Sequence, residues 1–466
     1  MARVLLLMTR PLAGAGGRGM VLQTIIDSIT GAGHEVVCAV VGGPADPAAI
    51  PGVRAVHRLP DVRLHEVLLG ARARRRGLRS FNERLYSSDR VTRAVRAIAR
   101  REHVDAVVAD GVRLAAYAED TGLPWFVDLD DLLSARYELW QDHDLDLHQL
   151  LGHRRPTNRL LAALLRRVRV RRLLAVEARR LRDREVEIAR RADGVSLVSP
   201  TEAATLAERA GVEVLALPMA VAADRVRVWP APRSPGTPES VGGPAPDRRL
   251  AFPGSLTAFA NEEAVTWWVT ELEPALRRRG LGGWQLHVYG VVPPEARERV
   301  EAQDRTGSVV LRGAFSREDL HAELVGHSFL LAPQREALGL TVKVVEAAVL
   351  GLVPVTTPQG ASGMGVEHGR ELLLFSDGDE LADVLTTVER WTAHEPAEIA
   401  DLAGRARAWA TADYSPATLQ RRWADVVARL TRPGRPTRPT CPTRPTRLTR
   451  PTPVDDGGSD RLDLIR

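Results

Sequence analysis

Three features of this 466-residue chain predict an α/β protein built from two domains. Apolar runs of strand length alternate with segments of helical periodicity, the pattern of parallel strands joined by crossover helices that cover both faces of a sheet. The alternation halts in a stretch rich in Pro, Gly and Ser over 223–247 and then restarts. The length exceeds what one ordinary core organises and suits two domains with additions.

Strands of the first domain, 1–222, are predicted over 3–8, 35–41, 105–109, 124–128, 194–198 and 213–217. Val4-Leu5-Leu6-Leu7-Met8 typifies their apolar runs. A glycine-rich turn over 11–19 follows the first strand, and helices fit over 20–31 and 201–210. Residues 139–192 break the rhythm as an arginine-rich helical insertion, in which Leu160, Leu164 and Val168 repeat at four-residue spacing. After the linker, the second domain, 248–412, resumes with a strand over 250–252, a helix over 261–279, strands over 285–289 and 308–311, and a helix over 317–325. It continues with a strand over 328–332, a helix over 342–350 and a strand over 353–356. Residues 413–430 carry a further helix over 415–430. The Thr-Arg-Pro repeats of 431–466 offer no apolar face and are expected to be disordered.

Composition excludes several classes. Hydrophobic residues make up 44% of the chain, yet no apolar run approaches the length of a membrane span. The first residues enter directly into a strand pattern rather than a secretory leader, so a cytoplasmic protein is expected. Two cysteines, Cys38 and Cys441, are too few for a disulfide framework or a zinc site. Eight arginines against four aspartates over 432–466 supply +4 of the net charge of +5, which leaves the body near neutral and argues against a nucleic-acid partner.

Lys343 is the only lysine; every other side chain among the 64 Lys and Arg is arginine. An ammonium is a compact point charge where guanidinium is a broad fork, and a narrow phosphate pocket calls for the former. Lys343 lies in Gly339-Leu340-Thr341-Val342-Lys343-Val344-Val345-Glu346, after a strand, a loop over 334–339 and the start of a helix. In open α/β sheets ligands sit beyond the carboxyl ends of strands, where helix N-termini attract anions. Gly339 permits close backbone approach, Thr341 can cap or donate a hydroxyl, and Lys343 adds full charge for a diphosphate. Glu346, three residues on, shares the helical face; it suits ribose hydroxyls or an internal salt bridge with Lys343.

Further stretches carry a resemblance: Phe252-Pro253-Gly254-Ser255 with Asn261, Val288-Tyr289-Gly290, Leu311-Arg312-Gly313, Leu331-Ala332-Pro333 and Gly351-Leu352-Val353-Pro354-Val355-Thr356-Thr357. With the Lys343 segment they resemble, in order and spacing, the nucleotide-sugar-binding half of a GT-B glycosyltransferase of family 4, the glycosyl transferases group 1. In the first half, Gly14-Ala15-Gly16-Gly17-Arg18-Gly19 and Gly33-His34-Glu35-Val36 resemble the opening of the acceptor-side domain.

The resemblance implies two Rossmann-like domains facing a cleft, with the last helix packing back on the first domain. It implies a retaining, metal-independent hexosyltransferase of polysaccharide biosynthesis that uses a UDP- or GDP-sugar, without further cofactor, on a glycan, lipid-linked or small-molecule acceptor. The donor residues it implies are Gly16, Gly17, Gly254, Ser255, Asn261, Gly290, Arg335, Gly339, Leu340, Thr341, Lys343 and Glu346. Lys343, Glu346, Glu336 and Asp128 are the catalytic candidates, and Asp110, Asp128 and Asp130, each just past a strand, the acceptor-side ones.

Two departures stand out. The family's two glutamates seven residues apart would place the first at Leu338, leaving Glu336 to supply a carboxylate. The arginine after the domain's first strand is replaced by Ser255, so that Lys343, with Arg335, carries the diphosphate charge. Two rivals use the same donor site: a GT-B nucleotide-sugar epimerase and a non-catalytic donor-binding scaffold. Asp142-His143-Asp144-Leu145-Asp146-Leu147-His148 reads as a solvated loop rather than a metal site, and Trp267 and Trp268 as packing residues. The arginine-rich stretch 154–184 reads as a solvated helical face or as a surface for peripheral contact with the inner face of an anionic membrane.

Overall fold

The computed structural model describes residues 1–9, 16–41, 50–69, 72, 77–78, 80–141, 171–229, 248–336 and 339–432. The turn over 11–15, the metal candidate at 142–148, Leu160, Leu164, Val168, most of the linker, Leu338 and the tail from 433, with Cys441, lie outside them.

Both domains are parallel α/β sheets. The first has strands β1 (Arg3–Met8), β2 (Glu35–Val41), β3 (Ala55–Leu59), β4 (Ala106–Asp110), β5 (Trp125–Asp128), β6 (Gly194–Leu197) and β7 (Leu215–Ala216), in the order β3-β2-β1-β4-β5-β6-β7. Helix α1 (Gly16–Gly31) crosses from β1 to β2, α2 (Arg171–Arg191) precedes β6, and α3 (Pro200–Ala210) follows it. Among the described part of the arginine-rich stretch, α2 buries Leu174, Ala178, Leu181 and Ile188 in the first core. Leu173 and Val176 on the same helix stay exposed. No helix among the described residues is long and apolar enough to cross a membrane.

The second sheet contains β8 (Arg249–Pro253), β9 (Gln285–Tyr289), β10 (Val309–Gly313), β11 (Phe329–Ala332), β12 (Val353–Thr356) and β13 (Leu373–Leu374), in the order β10-β9-β8-β11-β12-β13. Helix α4 (Phe259–Trp267) continues through a π-helical turn, Trp268–Leu272, into α5 (Glu273–Arg278). The single helix expected over 261–279 is interrupted because Pro274 has no N–H and its ring crowds the preceding turn. Trp267 and Trp268 are buried, and the Trp268 indole donates to Ser308 Oγ at 3.1 Å.

Helices α6 (Arg317–Leu324) and α7 (Val342–Val349) flank this sheet, and α8 (Pro396–Tyr414) and α9 (Pro416–Leu430) close the described chain. One core runs through both domains: Val4, Leu6 and Ile25 share it with Leu330, Val345 and Ala348, joined by Ala410, Tyr414 and Val427. Trp423 of α9 meets Phe126 of β5 edge-on, with ring centroids 5.4 Å apart.

Candidate functional site

The carboxyl ends of β8, β9 and β10 form a shelf of bare backbone. Gly254 donates its N–H to the Tyr289 carbonyl and Gly290 donates to that of Gly313, both at 2.8 Å. A Cβ on Gly290, whose φ is +156°, would lie 2.6 Å from the Gly254 oxygen. A Cβ on Gly254 would lie 2.9 Å from the Asn261 side chain. At Gly290 the obstacle is backbone and only glycine fits, whereas at Gly254 a side chain would displace the Asn261 amide. Asn261 Nδ2 donates to the Ser255 carbonyl at 2.9 Å, while the Ser255 hydroxyl is engaged with Thr257 and the Val291 carbonyl.

Thus oriented, Asn261 presents Oδ1 to Lys343, whose Nζ donates to it at 2.8 Å. The ammonium also sits 3.9 Å from the centroid of the Phe252 ring, a cation–π arrangement. Burial outweighs the field of Glu346 and pushes the ammonium down to about 7. The site therefore disfavours the charged form of this side chain.

Lys343 belongs to the first turn of α7. Gly339 before it has φ +73°, and the N-cap Thr341 makes no side-chain capping bond. The first-turn N–H groups and the positive end of the helix dipole lie at this end of α7, a setting that attracts anions. Leu340 packs against the shared core. Lys343 and Glu346 diverge: Glu346 Oε1 lies 3.0 Å from His321 Nε2 of α6, with both side chains largely buried. His321 lines an interdomain cavity of about 630 Å³, together with Gln23 and Asp27 of α1, Asp224, Arg317 and Gln420.

Across the cleft, Arg18 in the first turn of α1 is buried among three carboxylates. Its Nη2 and Nε donate to Asp110 Oδ1 at 2.6 and 2.9 Å, and Nη1 lies 2.6 Å from Asp128 Oδ2 and 3.2 Å from Asp130 Oδ1. Burial opposes its charge, yet the three acids hold it well above the ordinary guanidinium value. The second Asp110 oxygen takes the amide and hydroxyl of Thr9, and Ser196 donates to Asp128 Oδ1 at 2.7 Å.

Asp128 has no exposure and no oxygen left over, so its expected work as an acceptor-side and catalytic carboxylate is corrected to a structural one. Asp110, nearly as buried and paired on both oxygens, is corrected likewise. Asp130 alone of the three keeps substantial exposure, 32% of its side chain, and adopts φ +70° while its carbonyl accepts from Val198 N at 2.9 Å. Glu202 of α3 lies against the Gly339 N–H across the cleft, and burial raises its pKa.

Arg335 is not brought to Lys343: its guanidinium stacks over Trp267, 4.4 Å from the centroid, and pairs with Glu271. Glu336 is partly buried in the loop before Gly339. Gly16 opens α1, and a Cβ on Gly17 would meet open space. Sequence reasoning missed His321, which carries no local motif, and Arg18, whose one signal was its place between glycines after a first strand.

Residues 247–390 match the family of glycosyl transferases group 1. The second domain is a group 1 glycosyl transferase domain. The chain as a whole is similar in structure to sucrose-phosphate synthase from Thermosynechococcus elongatus, with TM-score 0.61 and 14% identity over 92% of this chain and 99% of that one. It is also similar to HepE of Anabaena in complex with UDP and glucose, with TM-score 0.57 and 13% identity over 91% and 99% of the two chains. A glycosyltransferase from Rickettsia africae gives TM-score 0.57 and 10% identity over 92% and 98%. No curated protein matches the chain by sequence. These likenesses establish the GT-B fold.

Proposed function

We propose that the protein is a glycosyltransferase that moves a sugar from a nucleoside diphosphate sugar to an acceptor hydroxyl. The observation that carries this reading is Lys343, the single lysine, set at the start of α7 against Asn261 and Phe252 and in no ion pair among the described residues, with only the field of Glu346 reaching it. A diphosphate supplies the missing negative charge. The complex of HepE with UDP and glucose, on the same fold, favours a UDP-sugar class of donor.

In this reading the backbone at Gly254, Ser255 and Gly290 floors the site, and Gly339, Leu340 and Thr341 lead into the helix end that receives the diphosphate. Gly16 and Gly17 bring the start of α1 to its other side, and Glu346 takes ribose hydroxyls. As the bond between the anomeric carbon and the diphosphate oxygen breaks, the electron pair leaves on the diphosphate. The acceptor oxygen bonds the anomeric carbon and its proton passes to a phosphate oxygen. Lys343 and the helix end meet the departing charge, the basis for proposing metal-independent transfer. Asp130 and Glu336 are the carboxylates offered to the sugar and acceptor. Retention of anomeric configuration, and a glycan, lipid-linked or small-molecule acceptor, complete the proposal.

Thermal stabilisation by UDP, GDP and their sugars tests the donor site, followed by release of nucleoside diphosphate with candidate acceptors. Selective stabilisation by one nucleotide and acceptor-dependent release are expected. No stabilisation by any of them rejects the reading, and release of an epimerised sugar without acceptor replaces it with the epimerase.

A further inference from the structure

Resting on that donor-site reading, we propose that His321 is a positioning residue: it fixes Glu346 for the ribose of the donor. The contact is specific. His321 Nε2 and Glu346 Oε1 are 3.0 Å apart, with 7% and 12% of the two side chains exposed. An ionised carboxylate only accepts, so the imidazole N–H donates. With Oε1 held, Oε2 is the atom presented to a hydroxyl.

The contact also settles a competition on α7. Residues three apart on a helix are neighbours, and a free Glu346 would be drawn to Lys343 one turn earlier. That internal pair would cancel the positive charge needed by the diphosphate and occupy the carboxylate needed by the ribose. Bonded to α6 instead, Glu346 stays about 4.5 Å further along the helix axis than Lys343, a step comparable to that from a diphosphate to its ribose. His321 also lines the cavity of about 630 Å³ whose opposite side is made by Gln23 and Asp27 of the first domain. The imidazole thus couples α6 to α7, which in this reading holds the phosphates.

The test uses the full chain with UDP and GDP beside their 2′-deoxy and 3′-deoxy counterparts, with affinities measured by calorimetry. Two variants of similar polarity differ in reach: Gln can place an amide N–H where His321 Nε2 lies, and Asn is one methylene too short. The wild-type protein should prefer a ribonucleotide over one of its deoxy forms by about tenfold or more, the scale of a hydrogen bond to a charged group. His321→Gln should keep most of that preference, and His321→Asn should reduce it to within about twofold, with both variants folded by their melting curves. A ribose preference retained in His321→Asn, or lost equally in both variants, overturns the role of His321 while leaving the donor site standing. A wild-type protein that binds no nucleoside diphosphate fails the donor-site reading itself.

Discussion

Lys343 occupies a setting that works against its own charge, and the consequences are measurable in both directions of pH. Its ammonium is pushed from an ordinary 10.5 down to about 7 by burial. The unfolded chain therefore holds this proton where the folded one has released it, between about pH 7 and 10.5, and stability rises with pH across that window. Replacing the group by an uncharged side chain of similar length removes the penalty. Lys343→Met should melt higher than wild type below pH 7 and lose that advantage as pH approaches 10.5; an equal shift at every pH would contradict it. A bound diphosphate restores the charged form, so binding above pH 7 should take up a proton. Calorimetry of UDP binding in buffers of different ionisation enthalpy reads that uptake, and affinity should fall as pH rises from 7. Lys343→Ala should lower transfer by about two orders of magnitude, the scale of removing one electrostatic stabiliser, and steady-state kinetics near wild type would refute its role. This residue was legible because composition singled it out and Glu346 lies three places away on the same short helix. His321 was not, since its contact to Glu346 spans 25 residues of chain and neither flank advertises it. The three aspartates were visible as residues past strand ends, but only the fold shows Arg18 consuming two of them.

Elements followed the sequence where apolar content was continuous and failed where it was not. β1, β2 and β9 are buried runs that coincide with their predicted spans. β3 escaped notice because it is a sheet edge: Ala-Val-His-Arg-Leu alternates only partly, and all but Leu59 retain some exposure. β13 has two residues, too few for any periodicity. The π turn between α4 and α5 follows from Pro274, a local signal that helical periodicity masks. The glycines at strand ends look like punctuation in sequence, yet Gly290 is a packing requirement, because its Cβ position is taken by the Gly254 backbone. Gly290→Ala should separate the ends of β8 and β9 and destabilise the protein by about 1–3 kcal/mol, the usual cost of overpacking with backbone strain. Urea denaturation gives the first quantity. A loss of UDP affinity beyond what Gly404→Ala in α8 causes, where a Cβ meets open space, gives the second; equal effects of the two would remove Gly290 from the shelf.

At the scale of the molecule, two sheets that the sequence separates by a linker share one core. The chain returns to the first domain through α8 and α9, and Val221 at the crossover donates to the Tyr414 carbonyl at 2.9 Å where those helices meet. Trp423 then fills the space beside Phe126 with its ring almost wholly buried, and Val426, Val427 and Leu430 continue the contact. A helical period over 415–430 was readable, and its target, the first domain, came from the resemblance alone, because nothing in an amphipathic pattern names the surface that covers it. The packing has a thermodynamic consequence. If the core is truly common, neither domain can melt without exposing apolar surface of the other, and heating should give one calorimetric transition with matching van't Hoff and calorimetric enthalpies. Trp423→Ala leaves a large cavity at the junction and should cost about 3–5 kcal/mol, lowering that single transition. Two resolved transitions in the wild-type protein, or a Trp423→Ala variant that shifts only one of two, would show instead that the domains are separately stable bodies and that α9 is a tether between them.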